Sequence, residues 1–206
     1  LLESLQYGLR FLLILLIPST VFLSIVSEGC IAVAFQRGEF LYERTVETAK
    51  VLIAYSSGLF FVGAFTFIQR LFYALHRHKT PFRIAIVVAV LDIGLSLWLK
   101  STTLGTSGIA LANSVSFAVG SVLLLIRCRR TLGRINGRKI LLTLGKTICA
   151  VAPAIVAMLL FRLFVGHWWA DGSSLRSVLF LTIEVAMFCG IVLSIYRFTK
   201  VEMMSM

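Results

Sequence analysis

Arg70-Leu71-Phe72-Tyr73-Ala74-Leu75-His76-Arg77-His78-Lys79-Thr80-Pro81-Phe82-Arg83 is where one apolar run ends, a basic loop turns, and a second apolar run opens. Pro81 suits the first turn of a helix, where its missing N–H costs nothing. Thr80, just ahead of it, is expected to cap that helix with its hydroxyl. Arg70, Arg77, Lys79 and Arg83 bring four cations to the segment, and no acid accompanies them. A basic connector between two long apolar runs belongs on the cytoplasmic face of a bilayer.

The composition agrees. Hydrophobic residues make up 59% of the 206 and charged residues only 14%, with a mean hydropathy of +0.96. A soluble domain is nearer half apolar and a quarter charged, so lipid is the expected solvent. The net charge of +11 does not point to nucleic acid, because the cations gather in the connectors between apolar runs.

These runs predict an all-α, polytopic membrane bundle of six spans in one membrane domain over residues 1–206. The spans are 11–35, 51–75, 84–99, 109–126, 140–165 and 177–196. Pro18 is expected to kink the first. Gly58 and Gly63 should let the second approach its neighbours closely, and the small residues from Ala110 to Gly120 should do the same for the fourth. Thr45 to Lys50 should begin the second helix outside the hydrocarbon. Lys100 to Gly108 reads as a polar turn, Arg127 to Lys139 as a basic loop, and His167-Trp168-Trp169 as an interfacial aromatic belt. Alternating the spans places twelve cations on one side of the membrane and five on the other. That bias puts both termini of the chain in the cytoplasm.

Few residues carry chemistry. Asp92 stands alone in an apolar run, and an ionisable group at membrane depth usually faces a cavity, a partner or an ion. Ser96 shares its helical face one turn on, and Asn113 lies on the next span. Oxygens from Asp92, Ser96 and Asn113 suit a small hard cation such as Na⁺. Asp92 equally suits a proton, a cationic partner, or hydrogen bonds to neighbouring hydroxyls. Arg70 fits a substrate phosphate, or snorkels to the headgroups, which is the favoured reading. Lys146 and Arg162 read as snorkelling anchors. His76 and His78 have metal-compatible spacing without further ligands beside them. Cys30, Cys128, Cys149 and Cys189 form no CxxC pair and read as packing residues. No catalytic triad, carboxylate pair or phosphate-cradling loop stands out, and no cofactor is expected beyond a coupling Na⁺ or H⁺.

Three motifs then fall in register. Phe35-Gln36-Arg37-Gly38-Glu39-Phe40 resembles the F-x-x-G-x-F loop of the lipid II flippases (the MurJ/MviN family). Phe72-Tyr73-Ala74 followed by Lys79-Thr80-Pro81 resembles their FYA…TP hairpin, although Arg77 stands where that loop commonly carries an acid. Gly105, then Gly108 through Ser114, resembles their glycine-opened helix start. The resemblance covers roughly residues 1–130. It implies the multidrug/oligosaccharidyl-lipid/polysaccharide exporter superfamily, whose complete members have fourteen helices in two lobes around a cavity. This chain resembles the last six, most of the second lobe.

What the resemblance implies is a transporter rather than an enzyme. It would move an undecaprenyl-pyrophosphate-linked peptidoglycan precursor across the bacterial inner membrane by alternating access. Its partners would be that lipid, the surrounding membrane lipids, and an N-terminal lobe or separate subunit. Asp92, Ser96 and Asn113 fall on or near the family's sodium positions. The last two helices, about 140–198, resemble the pair that forms a groove for the polyprenyl tail. A polysaccharide or drug exporter of the same superfamily, a membrane scaffold and a split subunit are the alternative readings.

Overall fold

The computed structural model describes residues 2–35, 42–133, 137–166 and 174–198. Within them the chain is helical: α1 (Leu2–Phe35), α2 (Tyr42–Ser57), α3 (Leu59–Ala74), α4 (Lys79–Lys100), α5 (Gly105–Leu132), α6 (Gly137–Val165) and α7 (Ser174–Phe198). Five of these helices are long and apolar enough to cross a membrane, and α2 with α3 makes a sixth span bent by 41°. The chain is therefore a multi-pass helical membrane bundle. The start of α1, the ends of α3, α5 and α7, and the starts of α4 and α6 share one end, called the basic end below. The F-x-x-G-x-F loop beyond Phe35, Arg134, the aromatic belt at 167–169 and Lys200 lie outside the described residues.

α1 runs through Pro18 without a break as one 34-residue helix. At about 1.5 Å per residue it is longer than a ~30 Å hydrocarbon core. The second span differs more. Its helix begins at Tyr42, three residues before the Thr45–Lys50 stretch expected to open it, and breaks at Gly58. There the Gly58 N–H turns to the Tyr55 carbonyl at 3.1 Å, which leaves the Ala54 carbonyl without its helical donor. Ser57 Oγ from its own turn and Ser114 Oγ from α5 each donate to that carbonyl at 2.7 Å. A break at membrane depth persists only when its backbone groups are re-satisfied in this way. Gly58 is also a true close approach, because a Cβ there would overlap Ser114.

Three further boundaries moved. α4 starts at Lys79, so Thr80 lies inside its first turn and makes no side-chain cap; His78 precedes the helix. Pro81 is buried in that turn. α5 starts inside the expected polar turn and continues through Arg127, Arg129 and Arg130 to Leu132. The apolar run ends at Ile126, but a helix needs no hydrocarbon to continue once it is nucleated.

Two cores result, and they share one helix. The first gathers Leu5 and Leu9 of α1 with Phe65, Ile68 and Phe72 of α3, Ile84 and Val88 of α4, and Leu124 of α5. The second gathers Ile14 and Val26 of α1 with Ala150, Ala154 and Met158 of α6 and Phe188 and Val192 of α7. Among the described residues, the main helix–helix interfaces of α6 and α7 are with α1 and with each other. Ile140 near the start of α6 touches the first core.

Candidate functional site

α4 and α5 pack antiparallel through a stripe of small residues. Gly108, Ala112, Ser116 and Gly120 recur every fourth residue on α5, and all are buried. A Cβ at Gly108 would stand 2.7 Å from the Leu99 carbonyl oxygen, and one at Gly120 would overlap Val88. These two contacts set the register. Asp92 is four residues beyond Val88, and Ser116 is four before Gly120. Asp92 and Ser116 therefore stand at the same level of the interface.

Both carry a buried oxygen with no hydrogen-bond partner among the described residues: Asp92 Oδ1 and Ser116 Oγ. Ser116 is fully buried, at 0% exposure. Buried polar atoms are almost always paired, so two orphans at one level mark a place for a further ligand or proton. Ser96 and Asn113 are half-buried. Ser96 lies one turn from Asp92 on α4, and Asn113 one turn before Ser116 on α5. Ser116 itself reads from sequence as one small packing residue among several. Its hydroxyl gains meaning only once the register sets it against Asp92.

Two polar clasps hold the second core. Pro18 has no N–H, so the Ile14 carbonyl loses its helical donor. The Tyr196 hydroxyl of α7 donates to that carbonyl at 3.0 Å in a buried setting, with Thr147 of α6 beside the same phenol. Nearer the basic end, Arg10 Nε donates to Thr143 Oγ1 of α6 at 3.0 Å.

A third polar contact overturns an expectation. Arg162 is not an isolated snorkelling anchor: its Nε donates to Glu184 Oε1 of α7 at 3.3 Å. Glu184 was missed from sequence, although a lone acid in the 177–196 run carries the same signal as Asp92. Arg70 and Lys146 are exposed, as are Cys149 and Cys189, while Cys128 is buried.

Two apolar grooves flank α1. One, of about 380 Å³, lies between α6 and the α3–α5 side, with α1 at its back; Phe60, Ile68, Leu125 and Leu144 line it, and Arg129 and Gly137 stand toward its basic end. The other, of about 420 Å³, lies between α1 and α7 and is lined by Pro18, Phe22, Phe188, Val192 and Tyr196.

An alternating arrangement of long apolar spans, one of them broken, with orphaned oxygens in a helix interface suits a transporter. The sequence profile described as "Lipid II flippase MurJ" matches residues 1–180. The chain belongs to the lipid II flippase MurJ family. It is 37% identical over 127 residues to the "Probable lipid II flippase MurJ" of Thermotoga maritima, covering 62% of this chain and 27% of that one. The corresponding protein of Borreliella burgdorferi is 28% identical over 174 residues, covering 84% and 34%. A solved structure, "Lipid II flippase MurJ, inward closed conformation", superposes with a TM-score of 0.67 at 26% identity, over 93% of this chain and 40% of that one. The chain thus spans 27% and 34% of the length of these two curated MurJ relatives.

Proposed function

We propose that this chain is the C-terminal part of a lipid II flippase, which carries an undecaprenyl-pyrophosphate-linked peptidoglycan precursor across the bacterial inner membrane. The observation that carries this reading is the superposition on a flippase of the same family over 93% of the chain. The two apolar grooves support it, because each has room for part of a polyprenyl tail alongside α1, α6 or α7. The basic end faces the cytoplasm in this reading, so both termini of the chain lie there, as the excess of cations at that end supports. A further lobe, on the same polypeptide or a partner subunit, completes the cavity and rocks against this one. Arg70, exposed near the basic end of α3, stands at the level of the headgroups, where a guanidinium reaches a phosphate of the bilayer or of the substrate.

Asp92, Ser96, Asn113 and Ser116 are the residues that would hold a coupling ion. Their donors are hard oxygens, and their single carboxylate balances one positive charge, which fits Na⁺ or a proton better than a divalent ion. Such an ion would neutralise the Asp92 carboxylate between α4 and α5. It biases transport only by binding one conformation better than the other.

The test uses the full-length protein that contains this chain. Expressed in bacteria depleted of their own flippase, it restores growth, and in vesicles it moves labelled lipid II between leaflets. A correctly inserted protein that does neither overturns the proposal.

A further inference from the structure

The α6–α7 hairpin carries two charges that neither the ion site nor the grooves use. Glu184 is 0% exposed and Arg162 only 21%. Their depth follows from the α1–α7 register. Tyr196 meets Ile14 and Phe188 packs on Phe22, an eight-residue step on both helices, so Glu184 stands level with Val26. Val26 lies nine residues inside the end of α1 at Phe35, about 13 Å along the helix. Phe161 and Phe180 pack together beside the pair, with ring centroids 6.4 Å apart.

Charges at such depth are retained when each neutralises the other. Parting α6 from α7 would strand the fully buried Glu184 carboxylate without the guanidinium that reaches it from the last turn of α6, whereas shifting the two helices together would not. The main helix interfaces of the hairpin, among the described residues, are with α1, and Ile140 adds a contact to the first core near the start of α6. α6 also forms one wall of the 380 Å³ groove.

We infer that Arg162 and Glu184 are positioning residues: their ion pair makes α6 and α7 one rigid body, and so keeps α6 in place as the groove wall while substrate passes. The transport half of this inference rests on the flippase reading; the rigidity half does not.

The experiment places spin labels at Lys146→Cys and Arg197→Cys, both exposed on the hairpin, in full-length protein whose native cysteines, the four of this chain included, are alanine. The parent gives one narrow distance distribution. Glu184→Gln broadens it and lowers lipid II translocation by about tenfold or more, because breaking a buried pair leaves an uncompensated charge. The double variant Arg162→Met/Glu184→Met has no charge to strand. It restores the narrow distribution and brings translocation back to within about twofold of the parent. If Glu184→Gln fails to insert, the double variant and the swap Arg162→Glu/Glu184→Arg carry the test, and both should be narrow. A Glu184→Gln distribution as narrow as the parent's overturns the inference. So does a double variant that is narrow yet inactive, since the charges would then act on cargo or ion directly. A parent that is rigid but moves no lipid II sinks the flippase reading and leaves the hairpin result standing.

Discussion

The Tyr196 hydroxyl is bonded to a carbonyl that only Pro18 leaves bare, and this makes a sharp prediction. Tyr196→Phe removes the donor and leaves the buried Ile14 carbonyl unsatisfied, with the ring and its packing otherwise unchanged. An unmade buried hydrogen bond costs about 1–3 kcal/mol, while interhelical bonds in membrane proteins average about 0.6 and reach about 1.7 kcal/mol. The expected loss is therefore about 1–1.5 kcal/mol. Pro18→Ala restores an N–H to α1, and the Ile14 carbonyl regains its own helical donor. In that background Tyr196→Phe should cost about 0.5 kcal/mol or less, a coupling of about 1 kcal/mol between residues 178 positions apart in sequence. The assay is equilibrium unfolding of the four full-length proteins of the cycle in mixed micelles. Equal losses in both backgrounds would refute the reasoning, because the hydroxyl would then serve something other than the proline's orphan.

Four other perturbations follow from the structure. Ser114→Ala removes the α5 donor from the Ala54 carbonyl at the break in the second span; Ser57 still bonds it, so unfolding should show a loss of only about 0.5–1 kcal/mol. Gly108→Ala drives a methyl against the Leu99 backbone carbonyl, which cannot swing aside, and should cost about 1–3 kcal/mol in thermal unfolding. Gly145→Ala meets nothing within 4 Å and should cost nothing. Asp92→Asn should remove the dependence of lipid II translocation on sodium or pH, measured as rates across a sodium and pH series; an unchanged series removes Asp92 from the coupling site.

The bundle is legible in sequence because each span is a local run of apolar residues, long enough to read without knowing its neighbours. The cation bias and the small-residue face of α5 are local in the same way. What escapes is whatever two distant segments make together. The Gly58 break depends on Ser114 arriving to tend the carbonyl it frees, and a glycine alone does not announce that. Arg162 read as a snorkelling anchor because its partner lies 22 residues on, on another helix. Ser116 looked like packing until the α4–α5 register set it against Asp92. The start at Thr80 was misplaced because Pro81 is tolerated anywhere in the first turn, not only at its first position, and the end at Ile126 because hydrophobicity marks where lipid stops while backbone hydrogen bonding decides where a helix does.

The two cores on α1 also order events in time. Within this chain α1 is made before the other helices, and α3 to α5 can close on its early turns while the ribosome is still making the remainder. Its later turns wait. The Ile14 carbonyl stays bare in the bilayer through five intervening helices, until the one bearing Tyr196 is inserted. For that interval the nascent protein displays a sticky, half-dressed flank, and whatever escorts it through the membrane must shield that flank from every other helix in reach.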